Sequence, residues 1–461
     1  MKLIAQAAIA AILATSLTGC HIYKSYETPQ DTPLTKEYAE ALKAEVDSTA
    51  LGNLGWEQVF TDPILADYIR QALGNNTNLR NAQLNVEAAR AQLLGARLAF
   101  LPSLALAPNG AGSKYASNSF SWSYQLPAQA SWEIDVFGKL LNSKRRAQAA
   151  VLQSEEYAQA VRSQIIAGVA TTYYTLAAVN AQLVLSRNTS ELWKSTVQTM
   201  RDLKEGGGVT EAAVMQSEAN YYNILGSITD LEASVDQLNN TMSLLLNVLP
   251  QQWAVSTDAS LETPVLVNAA GGVPMSYLAQ RPDIRAAEQN LAVAYYATNA
   301  ARSAFYPSLT ITANGGFTNL LGSMIKNPGD WFVQLAGSLV APLFSRGANI
   351  ANLKATKAQQ QVALNNFEYA IMSASAEVSD ALTVYEKSME KESLLRHQVD
   401  DLAKAVDMTK ELLLYSTGST NYLEVLTAQQ TLLAAQISMI SCRQSRDISV
   451  INLYQSLGGG R

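Results

Sequence analysis

The side chain best suited to covalent chemistry is the thiol of Cys20. It closes the run Leu17-Thr18-Gly19-Cys20, at the end of "MKLIAQAAIAAILATSLTGC". One Lys, an apolar stretch and then small residues read as a secretory signal over residues 1–19, not as a membrane span. The last four residues resemble the bacterial lipobox, in which the Cys becomes the new N-terminus and carries acyl chains. Each buried CH₂ contributes about 0.8 kcal/mol, so several chains anchor firmly. His21 stands where an inner-membrane retention signal would place Asp, so the outer membrane is expected. The alternative is a chance Cys after an ordinary signal peptide.

Little else in the sequence is equipped for catalysis. The 461 residues include only two Cys and two His, which argues against a disulfide framework and a Cys/His metal site. With Cys20 acylated, Cys442 is the remaining thiol, and its apolar helical surroundings predict an inert buried residue. No P-loop and no G-x-S-x-G is present. "EGGGVT" (205–210) lacks the Lys-Ser/Thr of a phosphate cradle and reads as a turn between helices. No enzyme activity, cofactor or metal is expected. Charged residues make up only 16% of the chain, under the usual quarter, so much of the surface is expected to meet lipid or neighbouring subunits. The net charge of −6 without basic blocks argues against nucleic acid.

The elements that must position any site follow from periodicity. In "WSYQLPAQASWEIDV" (122–136) apolar residues alternate with Ser123, Gln125, Gln129, Ser131, Glu133 and Asp135. Period two means a strand, about 50 Å long at 3.3 Å per residue. Few water-soluble domains use one so long. After the signal no apolar run reaches eighteen residues, which excludes a helical membrane protein but not a β-barrel.

The chain also repeats itself once. "RLAFLPSL" (97–104) and "RSAFYPSL" (302–309) align without gaps, 205 residues apart. "WEIDVFGK" (132–139) faces "SLVAPLFSR" (338–346), and "GGVTEAAVMQSEA" (207–219) faces "GSTNYLEVLTAQQ" (418–430). Two copies predict a pseudo-symmetric protomer. Each copy has a helix ending at Phe-x-Pro, where Pro stops it. Two strands are expected next, 103–113 and 121–137, then 308–318 and 330–344. A long helix follows, 140–204 and 347–415, close to 100 Å at about 1.5 Å per residue. Gly turns and return helices, 210–249 and 420–457, complete the copies. Ile165, Val169, Thr172, Leu176, Val179 and Leu183 step by four and three, as in coiled-coil packing. The expected domains are an extended leader (20–60), a first repeat (61–250), a linker (251–275) and a second repeat (276–461).

Four strands cannot close a membrane barrel, whose smallest form has eight, and an open edge in lipid is costly. Either the strands belong to a soluble sandwich, or several chains donate four each. The length and unbroken alternation of 122–136 favour the second. Trp122, Trp132 and Trp331, near strand ends, fit interfacial aromatic girdles. The opposite face, with Glu133 and Asp135, would line a wet lumen.

The lipobox, the doubled "AR-x-A-F-x-P-S-L", "WEIDVFGK", "RPDIRAAE" (281–288), "GSTNYLEVLTAQ" and "NLYQSLGGG" (452–460) together resemble the TolC-like outer-membrane factor family. The lipoprotein branch that serves resistance-nodulation-division pumps is the nearest in pattern. The resemblance implies an α+β membrane channel: a homotrimer with a twelve-stranded outer-membrane β-barrel above a periplasmic α-barrel. It implies a passive conduit for drugs or other toxic small molecules, working with a periplasmic adaptor and an inner-membrane pump. It places adaptor docking at the tips, Gly207, Gly208, Val209 and Thr210 in one hairpin, Gly418, Ser419 and Thr420 in the other. It implies a periplasmic gate: Tyr415 matches the family's Tyr, while Thr427 stands at the family's Asp and Glu424 is the substitute acid. The alternatives are a channel for an ABC-exporter secretion system and a non-channel surface lipoprotein.

Overall fold

The structure is a computed structural model, and it describes residues 23–43, 51–114, 116, 119–256, 261, 274–319, 330–415 and 422–460. Cys20, Gly418, Ser419 and Thr420 lie outside them. The element order is duplicated, as the repeated motifs require. The first copy runs α4 (Thr77–Leu98), β1 (Ser103–Leu106), β2 (Asn109–Ser113), β3 (Ser121–Ile134), α5 (Lys139–Glu205) and α6 (Glu211–Leu246). The second runs α8 (Pro282–Ser303), β4 (Ser308–Asn319), β5 (Asp330–Val340), α9 (Ala348–Tyr415) and α10 (Tyr422–Ser456). Two short helices, α1 (Pro33–Ala41) and α2 (Trp56–Val59), lie in the leader, and α3 (Pro63–Asn75) and α7 (Met275–Leu278) lead into the duplicated elements.

Two compact units share these elements. One comprises residues up to Thr35, Leu84–Glu156 and Arg285–Tyr369; the other comprises Lys36–Gln83, Tyr157–Ile284 and Ala370 onward. Each draws on both copies.

The first unit holds the sheet, in the order β1-β3-β4-β5 with β2 also pairing β3, all antiparallel. Its first strand is not continuous over 103–113 as expected. Ala107 donates its N–H to the Pro127 carbonyl at 3.0 Å. The N–H that Pro127 lacks would point the same way, so the ladder has no donor there and breaks between β1 and β2. The strands also stop before 137 and 344. Gly138 turns the chain at φ +70°, and Pro342 cannot continue a ladder.

The leader is not wholly extended either: α1 interrupts it and buries Tyr38. Pro33 favours a helix start, and Thr32 and Thr35 bond each other's hydroxyls at 3.0 Å. Upstream, the leader is extended and tied down. Tyr26 donates its N–H to the Tyr296 hydroxyl at 3.0 Å, and Thr28 bonds Glu288 at 2.5 Å.

In the second unit the long helices pack by their apolar seams. Ile165, Val169, Thr172, Leu176 and Leu183 are buried, and Val179 is half-buried. Cys442 is buried as expected and donates its S–H to the Ser388 carbonyl at 3.3 Å; burial pushes its thiol up. No described helix is long and apolar enough to cross a membrane.

Candidate functional site

The sheet sorts its side chains by register. Trp132 faces Ile311, Leu126 faces Phe317, Ile134 faces Leu309, and across the next pair Phe317 faces Trp331 and Ala313 faces Leu335. Directly paired residues share a face, so one face is continuous and apolar. The other pairs Gln129 with Asn314, Ser131 with Thr312, Glu133 with Thr310 and Asn314 with Gln334. Trp331 is 76% exposed, Leu335 74% and Leu104 80%. Such a patch marks an interaction surface.

Trp122, Trp132 and Trp331 all project from the apolar face. Trp122, opposite Gly112, and Trp331, opposite Phe317, lie toward one end of the sheet; Trp132 lies toward the other. Trp132 donates its Nε1–H to the Phe100 carbonyl at 2.9 Å. That leaves an amphipathic ring with its polar atom satisfied at a strand end.

On the polar face Glu133 is paired with Lys139 at 2.8 Å. Asp135 departs from the expected lumen lining. It lies past the end of β3, and its Oδ2 accepts the Leu141 N–H at 2.6 Å, capping an otherwise orphan donor in the first turn of α5.

In the second unit α5 ends at Glu205 and three glycines turn it into α6. Gly207 takes φ +76°, a left-handed conformation that a side chain resists. Gly208 donates its N–H to the Leu203 carbonyl at 2.7 Å and Gly207 to Lys204 at 2.9 Å. These bonds form a Schellman-type C-cap. Val209 is half-buried, while Gly207, Gly208 and Thr210 are exposed. The sequence reading missed what braces this tip. Arg201 bonds Glu218 through two nitrogens, at 2.5 and 3.1 Å, and Lys204 pairs with Glu211. Such pairs follow from no motif, because their partners sit on different helices. Behind them Trp193, Ile224 and Leu426 form a buried cluster joining α5, α6 and α10.

Of the expected gate, Tyr415 is the last residue of α9, and Glu424 is exposed in the first turn of α10. Thr427 is exposed and spends its hydroxyl proton on the Leu423 carbonyl at 2.7 Å. No group of metal-ligating side chains occurs among the described residues.

Comparison with known proteins places this architecture. The chain matches the outer membrane efflux protein family over residues 68–248 and 273–459. It is 29% identical to the cation efflux system protein CusC of Escherichia coli K12, covering 97% of this chain and 98% of the relative. It is 29% identical to the probable outer membrane lipoprotein SilC of Salmonella typhimurium over 96% of each. With the probable efflux pump outer membrane protein SepC of Pseudomonas putida it shares 31% over 97% of this chain and 95% of that one. Among solved structures, CusC aligns with a TM-score of 0.82 at 27% identity, covering 95% of this chain and 100% of that one. The open MtrE outer membrane channel of Neisseria gonorrhoeae aligns at 0.80 and 28%, covering 96% and 98%. With both matched segments spanning most of its length and its whole fold shared with these channels, the chain belongs to the outer membrane efflux protein family.

Proposed function

We propose that three copies of this chain close a twelve-stranded barrel in the outer membrane above a periplasmic tunnel of helices. That assembly would be the passive exit duct of a tripartite efflux system. One observation carries the reading: a sheet with a continuous apolar face, a continuous polar face and two open edges. β5 is one edge, and β1 with β2 forms the other. In lipid each unpaired edge group costs several kcal/mol, and pairing with the next copy removes that cost. The number three rests on the family resemblance.

The remaining parts follow from this reading. Trp122 and Trp331 serve one membrane interface and Trp132 the other. Ten residues separate Trp122 from Trp132, roughly 33 Å along the strand. Tilt reduces that to about the 25 Å apolar band of such barrels. Acylated Cys20 adds an anchor, as the name of SilC suggests for that relative. Gly207, Gly208, Val209 and Thr210 form one docking tip for a periplasmic adaptor, which links the duct to an inner-membrane pump, and the family resemblance assigns Gly418, Ser419 and Thr420 to the other. Tyr415 and Glu424, with Thr427, form the gate. The relatives' names span cations, toluene and antibiotics. A passive duct leaves the choice of small molecule to the pump.

The test is particle imaging of detergent-extracted protein, paired with conductance in planar bilayers. Threefold rings that conduct are expected. Twofold or fourfold rings discard the stoichiometry, and a water-soluble monomer that ignores detergent discards the channel.

A further inference from the structure

In the first unit, the four joints between helix and strand collect at one end of the sheet. The register sets Ser103 opposite Ser131, Ile134 opposite Leu309 and Ser308 opposite Val340. The flanking stretches, 92–102, 135–147, 297–307 and 341–350, bring Arg97, Lys144, Arg145, Arg146, Arg302 and Arg346 to that end. Lys139 also lies there but is spent on Glu133 of the polar face. The only carboxylate in these stretches is Asp135, and it caps α5. The positive charge is assembled from four separate pieces, so no basic block marks it in the sequence.

Two further contacts fix its height. Trp132, on the apolar face, bonds Phe100 in the first joint. On the leader, the Tyr23 ring lies 3.3 Å from where a Cβ on Gly138 would sit, and Arg145 Nη1 donates to the Tyr23 carbonyl at 3.4 Å. Tyr23 is three residues past Cys20, a reach of about 10 Å. An acylated Cys20 therefore puts the second joint at headgroup level. Arg97, Arg146, Arg302 and Arg346 are exposed, and Lys144 and Arg145 are half-buried. Half-burial lets the stems lie on the protein while the charged ends reach outward.

We propose that this basic collar binds the phosphates of anionic phospholipids in the periplasmic leaflet of the outer membrane. Guanidinium groups match phosphate oxygens bidentately, and clustered Lys and Arg at a membrane edge select anionic lipid. The periplasmic leaflet is the one that fits, because the long helices leave the sheet from this end. The proposal rests on the outer-membrane barrel of the preceding section.

The test uses the full assembled protein in vesicles of phosphatidylcholine, with and without phosphatidylglycerol, and reads Tm by tryptophan fluorescence. Phosphatidylglycerol should raise Tm at low salt, and high salt should shrink the rise. The combined variant Lys144→Gln, Arg146→Gln, Arg346→Gln should lose roughly half of the rise or more, with Tm in pure phosphatidylcholine unchanged. Neutralising Lys387, Lys391 and Lys404, far along α9, should leave the rise intact. If the combined variant does not insert, Arg346→Gln alone and the salt series carry the test. An equal Tm in both vesicles, or a full rise in the collar variant, overturns the proposal. Inorganic phosphate added to phosphatidylcholine vesicles should do nothing; an equal rise there would assign the collar to free anions and overturn the lipid. Conductance of the same vesicles reports the channel separately. A protein that conducts without discriminating lipids sinks the collar and leaves the duct.

Discussion

Arg281 Nη2 lies 2.6 Å from Glu377 Oε2, joining the start of α8 to the long helix α9. The same guanidinium grips Asp283 at 2.7 and 3.0 Å and donates to the Ser456 carbonyl at the end of α10, at 3.0 Å. It is 6% exposed. Burial opposes the charge, but these partners outweigh it and hold the guanidinium above its usual range. The start of α8, the middle of α9 and the end of α10 thus meet on one planar donor, a geometry that Lys cannot reproduce.

Arg281→Gln should therefore destabilise the second unit. The loss is set at about 1.5–3 kcal/mol, the range for hydrogen bonds to charged groups. The larger figure for a fully buried pair does not apply, because the side chains of Asp283 and Glu377 are 51% exposed. Arg281→Lys should recover only part of it. Thermal unfolding in detergent measures both, and an unchanged Tm for Arg281→Gln would remove the clamp from the account.

Asp283 gives this clamp a pH dependence. Burial alone would raise its carboxyl, but the bonds and charge of Arg281 outweigh burial and hold it below the usual value. A group depressed in the folded state adds stability above its unfolded pKa, about 3.9 for Asp, and that stability drains as pH falls through the lower folded value. Asp447 runs the other way. Its burial raises the carboxyl, more than Arg446 at 2.9 Å lowers it, so its contribution is fullest in acid and falls as pH rises through the folded value. Asp283→Asn should lower Tm at neutral pH and flatten its decline below about pH 4. A titration of Tm that stays parallel to the wild type would exclude Asp283 as a source of acid sensitivity.

Gly459→Ala should be poorly tolerated. A Cβ there would sit 2.4 Å from the Tyr454 ring. The ring cannot yield: it is 1% exposed, and its hydroxyl donates to the Leu54 carbonyl at 3.0 Å and accepts the Gly460 N–H at 2.8 Å. Ser163 and Arg162 hold the carbonyls of Gly459 and Gly460 at 2.5 and 3.0 Å. Overpacking of this kind costs about 1–3 kcal/mol, so the yield of assembled protein and its Tm should both fall. Gly207→Ala, whose residue has φ +76° and open space where a Cβ would sit, tests strain alone.

Much of this was legible in residues that obey a period. Alternation in 122–136 yields β3, and the gapless match of 97–104 with 302–309 yields the twin helices α4 and α8, offset by the same 205 residues at both ends. Seams of three and four give the long helices. What escaped depends on partners distant in sequence or on a single backbone atom. The β1–β2 break needs Pro127 set against Ala107, which only the register reveals. "RPDIRAAE" announced a helix start, but nothing in it names Glu377 or Ser456 as the partners of Arg281. The terminal glycines read as a motif, while their reason, a slot that admits backbone only, is visible only in the packing.

The proposed gate offers the sharpest functional test, because Thr427 stands where the family resemblance implies an Asp. In the proposed gate Glu424 is the candidate for the acidic ring, since Thr427 is neutral and its proton is committed to Leu423. Three residues separate the two, so they share a face of α10. Among the described residues no cation pairs with Glu424, which leaves its charge free to act on permeating ions. Tyr415→Ala combined with Glu424→Ala should raise single-channel conductance in planar bilayers, and Glu424→Gln alone should weaken cation selectivity. Adding Thr427→Asp to the double variant returns an acid to the family's position and should lower conductance again. If conductance ignores all three changes, the constriction lies elsewhere and Glu424 is a solvated helix residue. If Thr427→Asp reverses the opening, the charge ring and not the Tyr packing sets the closed state, because only the ring is restored.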